Sequence, residues 1–234
     1  MRLLPPDFLG RAGRLLNLGD FDAPSAPVPI VFNDSLPDTD HQYVLRMMVR
    51  GKRGRPLSIP PELAWLAPRI RQLDRYQKQQ DLRNPYIYVT VRHGIVESET
   101  DDEWHVDGFS MRTPHVPEQN YICAAGEKAT QFLVRSWHIP QSFDPFVHNI
   151  HHFFRDFCGE SPISNALPGV IYAIDPYCVH RRPPGTAGKM RTFWRISFVP
   201  IEIEDDTCAQ NPLFPVKHYG REDIRKQLVA WRAS

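Results

Sequence analysis

Proline constrains this chain more than any other residue type. Its 23 prolines are spread along 234 residues, and an α-helix tolerates proline only in its first turn. A bundle of long helices is therefore excluded, and many short strands joined by turns become the expected architecture. One segment escapes this constraint. Ser58-Ile-Pro-Pro-Glu62 reads as a capped helix start with proline in the first turn. Leu63, Leu66, Ile70 and Leu73 then recur at helical spacing, which predicts a helix over 60–79.

Elsewhere the texture is mostly β. Residues 43–51 (YVLRMMVRG) read as an outer strand ended by the basic turn GKRGRP, and 85–96 (PYIYVTVRHGIV) as a strand or hairpin. Gln119–Ala124 and Ala129–Val134 are short apolar runs separated by a turn. VIYAI (170–174) follows Pro-Gly, a short YCVH strand follows Asp175-Pro176, and RTFWRISFVP (191–200) is a long final strand. Residues 1–40 are expected to wrap the surface, with a short helix near Asp7–Leu16. Asp144–Cys158 is expected to be a helix with Phe146, Ile150, Phe153, Phe154 and Phe157 on one face, and Arg221–Trp231 a C-terminal helix. The expectation is one domain, mainly β, built as a jelly-roll barrel over 85–200. Residues 1–80 would flank it with helices, and 201–234 would form an extension.

Charge excludes little but favours nothing basic: 28 Lys+Arg stand against 27 Asp+Glu, so no global field calls for a nucleic acid or a membrane surface. The N-terminal apolar run is only two leucines long before Pro5, too short for a signal peptide. No stretch approaches the roughly 20 apolar residues of a membrane span. The four cysteines show no CxxC pairing. These features lead to the expectation of a reduced, cytoplasmic protein.

Chemistry concentrates in Glu103-Trp-His105-Val-Asp107. Residues two apart on a strand share a face, so His105 and Asp107 can grip one ion together. A third ligand from another element would complete a two-histidine, one-carboxylate site with open positions; His180, after the 170–174 strand, is the candidate. Chance alone yields roughly 0.7 His-x-Asp triplets in a chain of this composition, so order and context carry the reading. The triplet precedes two β segments, a strand led by Pro-Gly, the distal histidine and then a strand rich in arginine.

On that last strand Arg191, Phe193, Arg195 and Ser197 alternate and share one face. Two arginines directed into a barrel are costly to bury without anions, and a dicarboxylate supplies one through paired hydrogen bonds to guanidinium. The opposite face, Thr192, Trp194, Ile196 and Phe198, is more apolar and would otherwise claim the core; it can instead pack beneath flanking helices. Three further features weigh less. His148 and His152 stand four apart on a helix without a catalytic carboxylate between them, and read as a helix face at the barrel rim, as does His151. Cys178 reads as a small buried residue. Arg112, His115 and Arg182 flank the site in sequence and could meet an anionic group.

These residues resemble the Fe(II)/2-oxoglutarate-dependent dioxygenase superfamily, whose signature is His-x-Asp, a distal His, and an Arg roughly 10 to 15 residues later. The resemblance covers about residues 85–200. It implies a double-stranded β-helix, with His105, Asp107 and His180 as ligands of ferrous iron and 2-oxoglutarate as cosubstrate. Arg191-Thr-Phe-Trp-Arg195 matches the R-xxx-R layout of taurine- and clavaminate-type members, in which the first Arg holds the far carboxylate. Arg195-Ile-Ser197 matches the R-x-S layout of others equally well. Thr130 is similar to a threonine that assists that carboxylate in the taurine-type branch. The implied reaction consumes dioxygen, releases succinate and carbon dioxide, and most simply hydroxylates a small molecule; a nucleic-acid or protein substrate stays open. Two alternatives carry the same residues: a cupin-like metal enzyme that does not use 2-oxoglutarate, and an inactive barrel serving as a binding module.

Overall fold

A computed structural model describes the chain except for residues 1–2, 13–15, 34–35, 52–54, 81, 83, 98–101, 110–116, 146, 160, 204–206 and 216–234. Among the described residues, nine strands lie in two antiparallel sheets. The large sheet has the order β1 (Val28–Phe32), β7 (Val170–Ile174), β4 (Gln119–Gly126), β9 (Met190–Val199), β3 (Tyr86–Ile95), β2 (Gln42–Arg50). The small sheet has the order β6 (Ile163–Asn165), β5 (Gln131–Leu133), β8 (Val179–Arg181). A bridge between His105 and His180 adds the His-x-Asp segment beside β8. From β3 onward the chain passes between sheets: large, small at His105, large at β4, small at β5 and β6, large at β7, small at β8, large at β9. That winding is a jelly roll, the double-stranded β-helix class the sequence leads one to expect.

Each face of the large sheet has its own packing. On the outer face Val89, Val91, Tyr121, Cys123, Ile171, Trp194, Ile196 and Phe198 join one core cluster with Leu63, Leu66, Ile70 and Leu73. The four leucine and isoleucine positions belong to a 3₁₀ turn, Pro61–Leu66, that runs directly into α2 (Ala67–Gln79); all four are fully buried. Gln77 on α2 donates to the Tyr121 hydroxyl at 2.8 Å and ties the helix to β4. The inner face meets the small sheet through Ile122, Ala124, Phe132, Tyr172 and Ile174. The back of the small sheet is sealed by a third cluster, in which Trp104, Val106, Leu133 and Val179 pack with Phe21, Ile150 and Phe154.

The N-terminal region supplies both edges of the large sheet, β1 and β2, although only the second was expected as a strand. Val28-Pro-Ile-Val-Phe falls in the 1–40 stretch expected to wrap the surface, yet it forms a strand. β1 accommodates Pro29 because it is an edge strand, with an irregularity between Pro29 and Val31 where it pairs with β7. Buried Asp175 anchors this region further, accepting from Arg11 Nε at 2.7 Å, Ser25 Oγ at 2.5 Å and the Tyr177 amide at 3.0 Å.

Other segments differ in extent from expectation. Residues 86–95 form one ten-residue strand and no hairpin. The helix expected over 144–158 is shorter: α3 spans Ile150–Phe157, starting where the Asn149 side chain accepts from the His151 amide. Phe154 and Ile150 are buried there while Phe157 is 62% exposed. The N-terminal helix α1 spans Pro6–Ala12. The expected C-terminal helix and Phe146, Arg112 and His115 lie outside the described residues. All four cysteines are free, and among the described residues no helix is long and apolar enough to cross a membrane.

Candidate metal centre and its cavity

The site begins with backbone pairing. His105 N donates to His180 O at 3.0 Å, and His180 N donates back to His105 O at 2.9 Å. Residues that exchange both hydrogen bonds in an antiparallel pair sit directly opposite, with side chains on the same face. The two imidazole centroids are accordingly 4.4 Å apart. Each ring is fixed by the same device: Nδ1 of His105 lies 2.8 Å from Glu103 O, and Nδ1 of His180 lies 2.9 Å from Cys178 O. A carbonyl can only accept, so Nδ1 carries the proton and Nε2 keeps the lone pair.

Asp107 arrives differently. Pairing stops at His105, and Asp107 occupies a bend before Gly108, whose φ is +86°. Trp104 and Val106 still point into the back cluster, and Asp107 Oδ2 stands 3.7 Å from His180 Nε2. Its Oδ1 pairs with Arg195 Nη1, and its Oδ2 accepts from Asn120 Nδ2 at 2.9 Å. Burial would raise the Asp107 pKa, but Arg195 and the two imidazoles outweigh it and hold the carboxyl well below the usual carboxylate range. Burial pushes His105 down to about 4 and lowers His180 as well. The carboxylate is thus ionised and both imidazoles neutral at pH 7, the protonation states a divalent metal requires.

Among the described residues no three His, Cys, Asp or Glu side chains already stand in coordination geometry. The chemistry of the donor set nevertheless fits a divalent ion. Ligands at about 2.1 Å from one ion lie roughly 3 Å apart, so the 3.7 Å gap between Asp107 and His180 needs less than about 1 Å of closure. The second oxygen's bond to Arg195 orients the carboxylate as outer-shell partners do around bound metals.

A cavity of about 710 Å³ opens from this point, lined by His105, His180, Thr130, Arg191, Phe193 and Arg195, and by Thr90 and Arg92 of β3. Register orders its wall. Arg195 lies beside Thr90 and Ile122, Phe193 beside Arg92 and Ala124, and Arg191 beside Gly94 and Gly126. Arg191 therefore has no side chain on either neighbouring strand; its guanidinium lies against the Phe193 ring, 5.3 Å from the centroid. Both glycines have positive φ, and a Cβ on Gly126 would come within 3.0 Å of Met190 O, so this bare rung cannot easily be filled. Thr130 is buried at the cavity wall. Ser197 is buried beside Asn120 and Tyr88, one rung further from Arg191, and does not line the cavity.

Three nearby residues carry no signal of the site in the sequence. Asn120 sits between Gln119 and Tyr121 in an apolar run, so no sequence pattern marks it. Arg46 has φ +48° in an irregular stretch of β2 and pairs with buried Glu118; a left-handed non-glycine residue beside a site is an unusual backbone choice. His151 reads from the sequence as part of a helix face with His148 and His152, yet its ring centroid is 5.9 Å from that of His105. His148 instead accepts from the Asp144 amide at 2.9 Å. Cys178 is fully buried, its thiol pKa raised well above the ordinary value by that burial.

No protein-family model matches the chain, and no curated protein matches it. Among solved structures, a non-heme monooxygenase in complex with nickel, ThoJ, is similar with a TM-score of 0.35 and 12% identity, over 73% of this chain and 74% of that one. A likeness of that size carries no weight in assigning a function.

Proposed function

We propose that this chain is an Fe(II)- and 2-oxoglutarate-dependent oxygenase. The observation that carries the reading is the reciprocal His105–His180 backbone pair, which directs two Nδ1-tethered imidazoles to one face beside ionised Asp107. His105, Asp107 and His180 would hold the iron. The bound metal would supply dioxygen activation coupled to oxidative decarboxylation of the keto acid, giving succinate and carbon dioxide.

The remaining roles belong to the protein. Arg195 and Asn120 fix the Asp107 carboxylate, and Arg195 with the two imidazoles keeps it ionised. Because Arg195 is engaged there and Ser197 lies away from the cavity, Arg191 is the arginine assigned to the far carboxylate, with Thr130 nearby. The glycine rung around Arg191 leaves room for that anion. Phe193, on the strand between the two arginines, lines the cavity and gives it an apolar wall. The substrate would be a small molecule entering the same 710 Å³ space, a size typical of pockets for such ligands.

The test is dependence of oxygen uptake on added 2-oxoglutarate, with succinate measured in parallel. Iron binding without succinate from any member of a substrate panel would favour a metal enzyme that does not use the keto acid. Absence of metal binding altogether would leave a binding module.

A further inference from the structure

Three histidines stand close together around the start of α3, and two of them have an evident place. His148 accepts from the Asp144 amide at 2.9 Å and lies against Phe143, with ring centroids 5.3 Å apart. His152 is exposed. His151 differs from both. Its ring centroid is 5.9 Å from that of His105, and His105, Asp107 and His180 all lie within electrostatic range of it. A hydrogen bond to the backbone of Val106, the residue between His105 and Asp107, restrains one edge of the ring. Nε2 is buried and has no hydrogen-bond partner among the described residues, so the bond to Val106 belongs to Nδ1–H. Burial lowers the His151 pKa, which leaves the ring neutral and gives Nε2 a lone pair. A buried acceptor without a donor carries its desolvation penalty uncompensated.

The separation of the rings points to the kind of donor that fits. Two imidazoles bound side by side on one ion have centroids about 4.5 Å apart, close to the 4.4 Å between His105 and His180. His151 stands farther out than such a neighbour, at a separation that one water can span. Resting on the metal centre of the oxygenase reading, we propose that Nε2 of His151 accepts a hydrogen bond from a water held at the metal's open position beside His105. His151 is then a positioning residue. It does not ligate the ion, and it keeps that position filled until substrate enters the cavity.

The test uses the full chain loaded with Co(II), whose visible absorption strengthens when its coordination falls from six to five, alongside His151→Phe and His151→Gln. Thermal midpoints show that each variant is folded. His151→Phe should give the several-fold stronger, five-coordinate spectrum, with Co(II) affinity within about tenfold of the parent chain. His151→Gln, whose side-chain carbonyl can accept the same bond, should keep the weaker, six-coordinate spectrum. Three results overturn the inference: an unchanged spectrum in His151→Phe, a five-coordinate spectrum in His151→Gln, or an affinity loss beyond about tenfold in His151→Phe, which marks a ligand. These spectra are recorded before any 2-oxoglutarate is added, so they decide the role of His151 by themselves. A keto acid that then fails to bind sinks the oxygenase reading alone, and a parent chain that takes up no Co(II) sinks both.

Discussion

The two faces of β9 share one backbone and one set of ladder hydrogen bonds, yet their chemistry is opposite. Trp194, Ile196 and Phe198 are fully buried beneath α2. Arg191, Phe193 and Arg195 are partly buried and line a cavity. The first face is held by dense apolar packing, which penalises any change of volume. The second is held by the Arg195–Asp107 ion pair and keeps space open. A barrel strand can afford a polar inner face only because a helix covers its outer one, so stability and function are separated by a period of two residues.

That separation can be broken from either side, and the largest effect should come from the core. Trp194→Ala removes a fully buried indole and should cost about 3–5 kcal/mol, read by denaturant unfolding. Phe193→Ala, one residue away on the cavity face, should cost clearly less; equal costs would erase the distinction between the faces.

On the cavity side, Asp107→Ala should weaken Co(II) or Fe(II) binding by more than about 100-fold, since even outer-shell losses reach 10–100-fold. Metal titration of the folded variant checks this, and near-native affinity would remove Asp107 from the ligand set. Asn120→Ala tests the outer shell alone. It should lower metal affinity by about tenfold while leaving 2-oxoglutarate affinity, measured at saturating metal, nearly unchanged.

The smallest effect, read near pH 6, is on acid stability. His105 is held near 4 in the folded chain against an ordinary value of 6.5, so the unfolded chain takes up its proton first as pH falls. Stability without metal should therefore be full above about pH 7 and decline between about pH 6.5 and 4, by about 1 kcal/mol already at pH 6. Thermal midpoints across that range check the sign. A rise in stability on acidification would contradict a neutral His105.

Much of this arrangement was legible before the fold was known. The helical spacing of Leu63, Leu66, Ile70 and Leu73 marks the covering helix, and alternation on 191–198 marks two faces. Which face lies inward was legible only from the order of the histidines, aspartate and arginines, because apolarity alone favours Trp194, Ile196 and Phe198 for the barrel interior. The covering helix decides it, by giving those side chains a second core outside the barrel. Asn120, Arg46 and His151 were invisible for a related reason. Each reaches the site from a strand or helix remote in sequence, and single polar residues in such elements leave no periodic trace. The strand Val28–Phe32 falls in the stretch expected to wrap the surface, and only the place of Pro29 at a sheet edge makes the pairing possible.

By itself, then, the sequence determined the class of the fold and the order of the chemistry-bearing residues, since local steric and hydrophobic periodicities are written residue by residue. Tertiary structure alone decided that His105 and His180 become direct partners, that Arg195 is engaged by Asp107 while Arg191 lies on a bare glycine rung, and that Arg92 and Arg182 reach the same cavity. Those relations depend on register between strands far apart in the chain. A one-residue slip in any of them would turn the same side chains to the opposite face.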